Sequence, residues 1–296
     1  ASGFHSASYG MPGALWQINL DREGRRFARY GKDHANNKDF YFILGTQADL
    51  AELGNFGVDV TYRQKEVDSF FLTSGNPTQQ NRIETIGFMP KYTLEGSLLG
   101  GENKFIAGLD YYRVFYHSNT YAIANDALLT ITRINKESLG GYLQNEFSIL
   151  ERLVLVGGYR YENARYVFGY HDNDTTTWGH PYPDQDKKAE PKMKAFNSGL
   201  AYTYRDDSSL FFNLGRSFRF PQVDEFNYND ASWQQQLDTG LKPQSSLNYQ
   251  LGLRHKFSDR LKAGFSIFRM LVDNELYYNS TGGPLLAGKN ENYDKT

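Results

Sequence analysis

Read in steps of two, most of the chain alternates between apolar and polar side chains. In residues 246–257 the odd positions are Leu247, Tyr249, Leu251, Leu253, His255 and Phe257. The even positions are Ser246, Asn248, Gln250, Gly252, Arg254 and Lys256. Successive side chains of a strand point to opposite faces, so a period of two predicts a strand whose faces meet different media. The split recurs at residues 195–205, where Phe196, Leu200, Tyr202 and Tyr204 oppose Asn197, Gly199, Thr203 and Arg205. It recurs at 56–64, with Phe56, Val58, Val60 and Tyr62 against Asp59, Thr61 and Arg63. Residues 104–112, 153–162 and 260–267 follow suit. About eleven strands of roughly 10–13 residues are predicted.

The links between them alternate in length. Short ones fall at residues 50–55, 97–103, 150–152, 206–209 and 258–259. Longer polar stretches fall at about 21–38, 67–81, 118–137, 169–194, 220–245 and 273–295. In an up-and-down meander this order gathers the short turns at one end and the long loops at the other. The predicted strands exceed the ~5 or 6 residues usual in globular sheets. At a tilt near 40°, about 11 residues cross the ~25 Å apolar band of an outer-membrane barrel. Aromatic pairs gather toward strand ends, as a girdle at the lipid interface would require: Tyr202 with Tyr204, Tyr159 with Tyr161, and Phe218 with Phe220. The other face carries Asp59, Arg63, Asp110, Glu146, Arg160, Glu162, Arg254 and Lys256. Unpaired charge is costly in a dry core, whereas a hydrated lumen accepts it. The predicted fold class is all-β, an antiparallel transmembrane β-barrel segment, in preference to a soluble sandwich or a lipocalin-like barrel.

Composition narrows this further. The chain has 296 residues, 40% of them hydrophobic, and 22 Tyr and 21 Phe make it rich in aromatics. Its longest apolar run, near residues 153–159, is far below the ~18 residues of a membrane-spanning helix, which excludes a helical membrane protein. With no cysteine, a disulfide scaffold and a cysteine-ligated metal site are excluded. A net charge of -2 gives no electrostatic case for nucleic acid. The first residues lack a basic stretch followed by an apolar one, so no signal peptide is expected there. An odd strand number does not close a single-chain bacterial barrel. Residues 1–296 are therefore expected to be part of a barrel domain, an internal section of a larger one.

Three ordered blocks carry a family resemblance. Residues 137–163, ESLGGYLQNEFSILERLVLVGGYRYEN, resemble the "YxQxE … GxRY" strand pair of TonB-dependent outer-membrane receptors. Residues 210–226, LFFNLGRSFRFPQVDEF, resemble that family's strand ending in a "FRxPxxxE" turn. Residues 241–278 resemble its "LxPExSxxYExG" hairpin, and NYDKT at 292–296 resembles the start of the next strand. Residues 84–94 and 105–116 match in style alone. Gln244 and Gln250 stand where the family usually has Glu, which removes two lumenal charges. The resemblance implies a whole protein with a plug domain and 22 strands, of which this chain would be a central-to-late part without the plug.

Candidate sites lie in the long loops. Residues 169–194 hold His171, Trp178, His180 and Tyr182, and residues 220–245 hold Tyr228 and Trp233. Aromatic rings stack on planar catecholate or corrin-like groups, and histidine reaches iron complexes. A second reading of the first loop is a calcium site from Asp172 and Asp174 with Asp184 or Asp186, since calcium prefers carboxylate oxygens, though the spacing lacks the glycine and terminal Glu of an EF-hand. The plainest reading is a solvated loop. A Trp in a polar loop serves as a ligand anchor or packs on neighbouring loops, and both readings stay open. Arg219 and Glu225 are expected to pair structurally at the rim, and His255 to sit at the lipid interface near the short turns.

No catalytic residue and no cofactor is expected. By resemblance, the protein is an energy-coupled receptor in the bacterial outer membrane for a scarce ligand, a ferric siderophore or another iron complex foremost. Cobalamin, haem and oligosaccharide are the other cargoes. Its partners would be outer-membrane lipid, that small ligand, and the TonB energy-coupling complex acting through the plug or an N-terminal segment. A passive porin is the alternative, since rings of lumenal charge tune selectivity in pores. An outer-membrane hydrolase built on His171, His180 and Asp172 is a third.

Overall fold

The computed structural model describes all residues except 11–15, 29, 71–77, 123–125, 150–151, 174–183, 230–234 and 281–287. The strands are β1 (Ser2–Gly10), β2 (His34–Asp49), β3 (Asn55–Phe70), β4 (Thr78–Leu98), β5 (Gly101–Tyr121), β6 (Leu128–Ile149) and β7 (Leu153–Asp172). There follow β8 (Gln185–Ala189), β9 (Lys192–Arg205), β10 (Ser208–Arg219), β11 (Asn227–Asn229), β12 (Gln235–Leu237), β13 (Gln244–Ser258), β14 (Leu261–Asn279) and β15 (Lys289–Lys295). One antiparallel sheet runs β1-β2-β3-β4-β5-β6-β7-β9-β10-β13-β14-β15, with β8 also on β7 and the β11–β12 hairpin apart. β8 and β9 are one strand interrupted at Glu190 and Pro191, where proline has no N–H for the ladder. Short turns join β2–β3, β4–β5, β6–β7, β9–β10 and β13–β14, as the link lengths predicted. In the first of these Gly54 takes φ 90°, and a Cβ there would strike the Thr93 carbonyl oxygen.

The twelve strands in line agree with the count of about eleven, the seven-residue β15 standing where residues 292–296 resembled the start of the next strand. Two expectations need correction. Much of the stretches assigned to long loops is strand: β5 reaches Tyr121 and β6 starts at Leu128, inside the predicted link 118–137. β4, β5 and β6 hold 21, 21 and 22 residues, or about 70 Å along each strand at ~3.3 Å per residue. That is well beyond the ~25 Å apolar band. Outside the bilayer the ladder continues because neighbouring strands still satisfy its N–H and C=O groups, whatever the side chains' polarity. Finally, a short polar helix, α1 (Gln17–Glu23), stands in the stretch between β1 and β2, braced by a Gln17–Asp21 hydrogen bond of 2.8 Å.

The two faces separate as the alternation demands. Outward rows carry exposed apolar side chains, among them Phe88 on β4, Leu109 on β5, Leu143 on β6, Tyr159 on β7, Leu200 on β9 and Leu251 on β13. Inward rows pair their charges: Arg63 with Asp39, and Arg160 with both Asp110 and Glu162. At the short-turn end His255 stacks on Tyr204, accepts or donates a 2.8 Å hydrogen bond with its hydroxyl, and meets Phe257 edge-on. The glutamines at the two departures are bonded, Gln244 accepting from the Leu276 N–H and Gln250 from Asn213.

The sheet is concave toward the charged face. Asn227 donates to the Tyr116 hydroxyl of β5, while Asn290 of β15 donates to the Glu225 carbonyl. Residues 225 and 227 are at most ~7 Å apart along the chain. A flat sheet would hold β5 and β15 about 34 Å apart, seven spacings of ~4.8 Å. Only a curved wall lets one segment touch both.

Candidate functional site

On the outward face the oil-facing rows end at ion pairs. Arg113 meets Glu137 at 3.3 Å and Arg165 meets Glu190 at 3.5 Å, across β5–β6 and beside β7. Above this level the wall stands in water, on the long-loop side that is extracellular in such barrels. There the inward face changes character. Below it lie Asp110, Arg160 and Glu162; above it lie Tyr116, Ile134, Tyr166, Phe168 and Tyr170, all buried.

What buries them is the segment that follows β10. Phe220, Val223, Phe226 and Leu237 join those residues in one apolar cluster. Phe226 stands edge-on to Tyr166 at 5.2 Å and to Phe168 at 4.8 Å. The turn that aims it is built by the sequence FRFPQVDE. The Arg219 guanidinium donates to both carboxylate oxygens of Glu225 at 2.8 and 2.9 Å, and that carboxylate also accepts from the Gln222 N–H at 2.8 Å. The Tyr166 hydroxyl donates to the Pro221 carbonyl at 2.7 Å. The expected Arg219–Glu225 pair is thus present. Phe220, in contrast, does not join an outer girdle: it is 7% exposed inside the cluster, because the chain turns inward at Pro221.

One cation sits against this core. The Lys136 ammonium lies 5.3 Å above the Tyr166 ring and 5.4 Å above Phe220. Burial pushes its pKa down, against the pull of Glu162 and Glu225. Burial also pushes the Tyr116 phenol up to about 12, so it stays a neutral hydrogen-bonding group at any physiological pH. Farther along, the segment is tethered to the last strand. Lys289 lies 3.9 Å from Asp238 and 6.0 Å over the Tyr228 ring, and the Lys242 N–H donates to Asn292 at 2.7 Å. The result is a shelf on the inner face of the wall, reaching from β5–β7 to β15.

The structure does not bring the sequence-predicted site residues it describes to one point. His171, one residue before the end of β7, is an exposed side chain with its Nδ1 2.6 Å from an Asp184 carboxylate oxygen. Tyr228 is on the shelf, inside the wall. Trp178, His180, Tyr182, Trp233 and Asp174 lie outside the described residues. Of the carboxylates considered for calcium, Asp172 is buried while Asp184 is engaged with His171, the neighbouring side chain of opposite direction. Among the described residues no three His, Asp or Glu side chains gather as a metal site. Sequence reasoning missed Tyr166, Phe168, Phe226 and Lys136. The signal was there: along β7 the even positions change from Arg160 and Glu162 to Tyr166, Phe168 and Tyr170.

A family model described as TonB dependent receptor-like, beta-barrel matches residues 2–296. No curated protein matches the sequence. Solved structures share the fold. The ferric-catecholate import receptor Fiu from E. coli K12 has a TM-score of 0.67 at 13% identity, covering 99% of this chain and 51% of that one. For the ferric citrate transporter FecA the values are 0.73, 16%, 97% and 42%. For the hemophore receptor HasR of Serratia marcescens, solved with hemophore HasA and heme, they are 0.68, 17%, 89% and 45%. The chain spans about half the length of these proteins, or somewhat less.

Proposed function

The chain belongs to the TonB-dependent receptor-like β-barrel family, outer-membrane transport receptors and not enzymes, and from that premise we propose that it is part of the wall and mouth of an energy-coupled importer of a scarce iron complex. Residues 1–296 then belong to its barrel domain, and a ferric siderophore is the cargo. The observation that carries this reading is the shelf. Phe226 and its neighbours pin the segment after β10 against the lumen face of the wall, where an entering ligand would pass. The relatives' own cargoes, ferric catecholate, ferric citrate and heme, are consistent with metal complexes as a class.

In this reading the capture surface has two tiers. His171, Trp178, His180 and Tyr182 act from outside, their rings stacking on a planar chelate. Tyr228 receives it at the shelf, and Trp233 supplies a further ring for the same ligand. Transport would require the TonB complex, acting through a plug, to open the lumen. The test uses the whole receptor in cells carrying radiolabelled ferric catecholate or ferric citrate. Uptake should require an energised inner membrane, and removing residues 174–183 should weaken ligand binding about tenfold, or roughly 1.4 kcal/mol. A large steady conductance in planar bilayers, with uptake indifferent to energy, would establish a pore instead.

A further inference from the structure

The lumenal face of the wall is not uniform. On β2–β7 charge recurs along the inward rows: Arg63 pairs with Asp39, Lys104 with Glu95, and Arg160 with Asp110 and Glu162. The next four strands of the sheet, β9, β10, β13 and β14, form a different panel. One inward row there reads Gly199, Asn213, Gln250 and Phe268. The row above it reads Asn197, Gly215, Asn248 and Met270. Between Arg219 at the rim and Arg254, Lys256 and Lys262 at the foot, no inward side chain of these strands is charged. Arg216 and Arg269 stand on the outward rows, opposite Leu247 and Tyr249. Gln244 and Gln250, the two departures from the family pattern, both lie on this panel.

The panel is also smooth. Its polar side chains are short and turned onto one another. Asn213 donates to Gln250 at 3.2 Å, Asn248 donates to Ser246 at 3.2 Å, and Ser217 shares a 2.8 Å hydrogen bond with Ser246. The Phe211 ring lies over Gly252, where a Cβ would strike it, and the Arg254 guanidinium caps that ring at 5.1 Å. Phe268 and Met270, 78% and 54% exposed, add apolar contact. A solute moves along a wall when it leaves each contact as readily as it enters it. Fixed charge works against this for an ionic complex, because it holds the opposite sign and repels its own. Amides and hydroxyls already bonded to one another do neither.

We propose that the iron complex crosses the lumen along this panel, against β9, β10, β13 and β14, and not along the charged arc of β2–β7. The lane starts where the shelf segment leaves the top of β10. It ends beside Arg254, which no ion pair among the described residues engages. At the foot of β4–β6, in contrast, Glu95, Glu102 and Glu146 outnumber Lys104. An anionic complex is drawn to the panel side at its exit and repelled from the other. The inference rests on the importer reading and adds a route to it.

The test uses the full-length receptor in cells supplied with ferric catecholate or ferric citrate radiolabelled in the organic ligand. A photo-crosslinking amino acid replaces Ser217 or Ser266 on the panel, or Gln47 or Thr85 on the charged arc, one position at a time. With the inner membrane energised, adducts at the panel positions should exceed those on the arc about tenfold, and they should vanish when the membrane is de-energised. S217D/S266D, which charges the lane, should slow uptake about fivefold with surface binding unchanged, whereas T85D, opposite Arg63, should not. The heat-dependent shift of a folded barrel on gels confirms each variant's fold. Equal adducts on both arcs, adducts confined to Gln47 and Thr85, or energised uptake with no adduct in this chain would overturn the lane and leave the importer standing. Uptake indifferent to energy, or uptake of neither complex, would remove the importer reading and the lane with it.

Discussion

Strand β7 carries two aromatic pairs that serve opposite faces. Tyr159 and Tyr161 are 43% and 39% exposed on the outer row, whereas Tyr166 and Phe168 are 1% and 0% exposed on the inner one. The first pair faces the bilayer at mid-wall, Tyr159 on the same row as Leu143, and not at a strand end as the sequence suggested. The second is covered by the shelf, with Phe226 edge-on to both rings. Parity along the strand says which face a side chain takes. Height along the strand says what medium that face meets, and the inner face changes from hydrated charge at Arg160 to protein core at Tyr166 within three repeats of the pleat. A barrel strand this long therefore has four environments, not two.

The largest effect expected from separating them is at the shelf. Phe226→Ala should cost about 3–5 kcal/mol of local stability, the range for emptying a buried phenylalanine site. Amide exchange in residues 220–243 of the membrane-embedded receptor should accelerate while the β-ladder below stays protected. Tyr161→Ala, an outward aromatic of similar size, should leave that exchange unchanged, and equal acceleration in both variants would remove the distinction. Next comes the oil-facing row. Leu143→Arg should destabilise by about 2–4 kcal/mol near the bilayer midplane. Gln144→Arg, one residue on and facing the hydrated lumen, should change stability by less than about 0.5 kcal/mol. Reversible urea unfolding in vesicles reads both, and similar losses would mean that the inner face is not wet.

The outer face was legible because one period repeats over many strands. Leu247 to Phe257 reads as a lipid-facing row without any knowledge of neighbours, and the short turns announce themselves by length. The aromatic core of the mouth was not legible as a core. Tyr166 and Phe168 alternate as strand residues should, but whether they meet oil, water or protein depends on Phe226, 60 and 58 positions away. The Arg219–Glu225 pair was foreseeable, being local to one turn. Phe220 was misplaced because period-two reading carries a strand past Pro221, where the chain leaves the sheet. Strand ends were set too early for a related reason: polarity marks where the membrane stops, while hydrogen bonding decides where the ladder stops.

The smallest effect should appear at the opposite end of the wall, where charge braces the turn between β9 and β10. Asp207 accepts from Lys262 at 3.0 Å and lies 3.3 Å from the Lys256 ammonium. Those two lysines, Lys262 first, hold its carboxyl below the ordinary value of 3.8. A carboxylate whose folded pKa is depressed stabilises the fold above its unfolded value and loses that contribution as pH falls through the folded one. Asp207→Asn is the clean variant, since the residue has φ 57° and asparagine tolerates the left-handed region. The stability difference between the two proteins should be constant from pH 8 to about 5 and close progressively below about 4. At 1 M salt, where screening acts over ~3 Å, it should shrink at every pH. Phe226→Ala, an apolar loss, should show neither dependence. A difference at Asp207 that survived to pH 2 in high salt would assign this turn's stability to shape instead of charge.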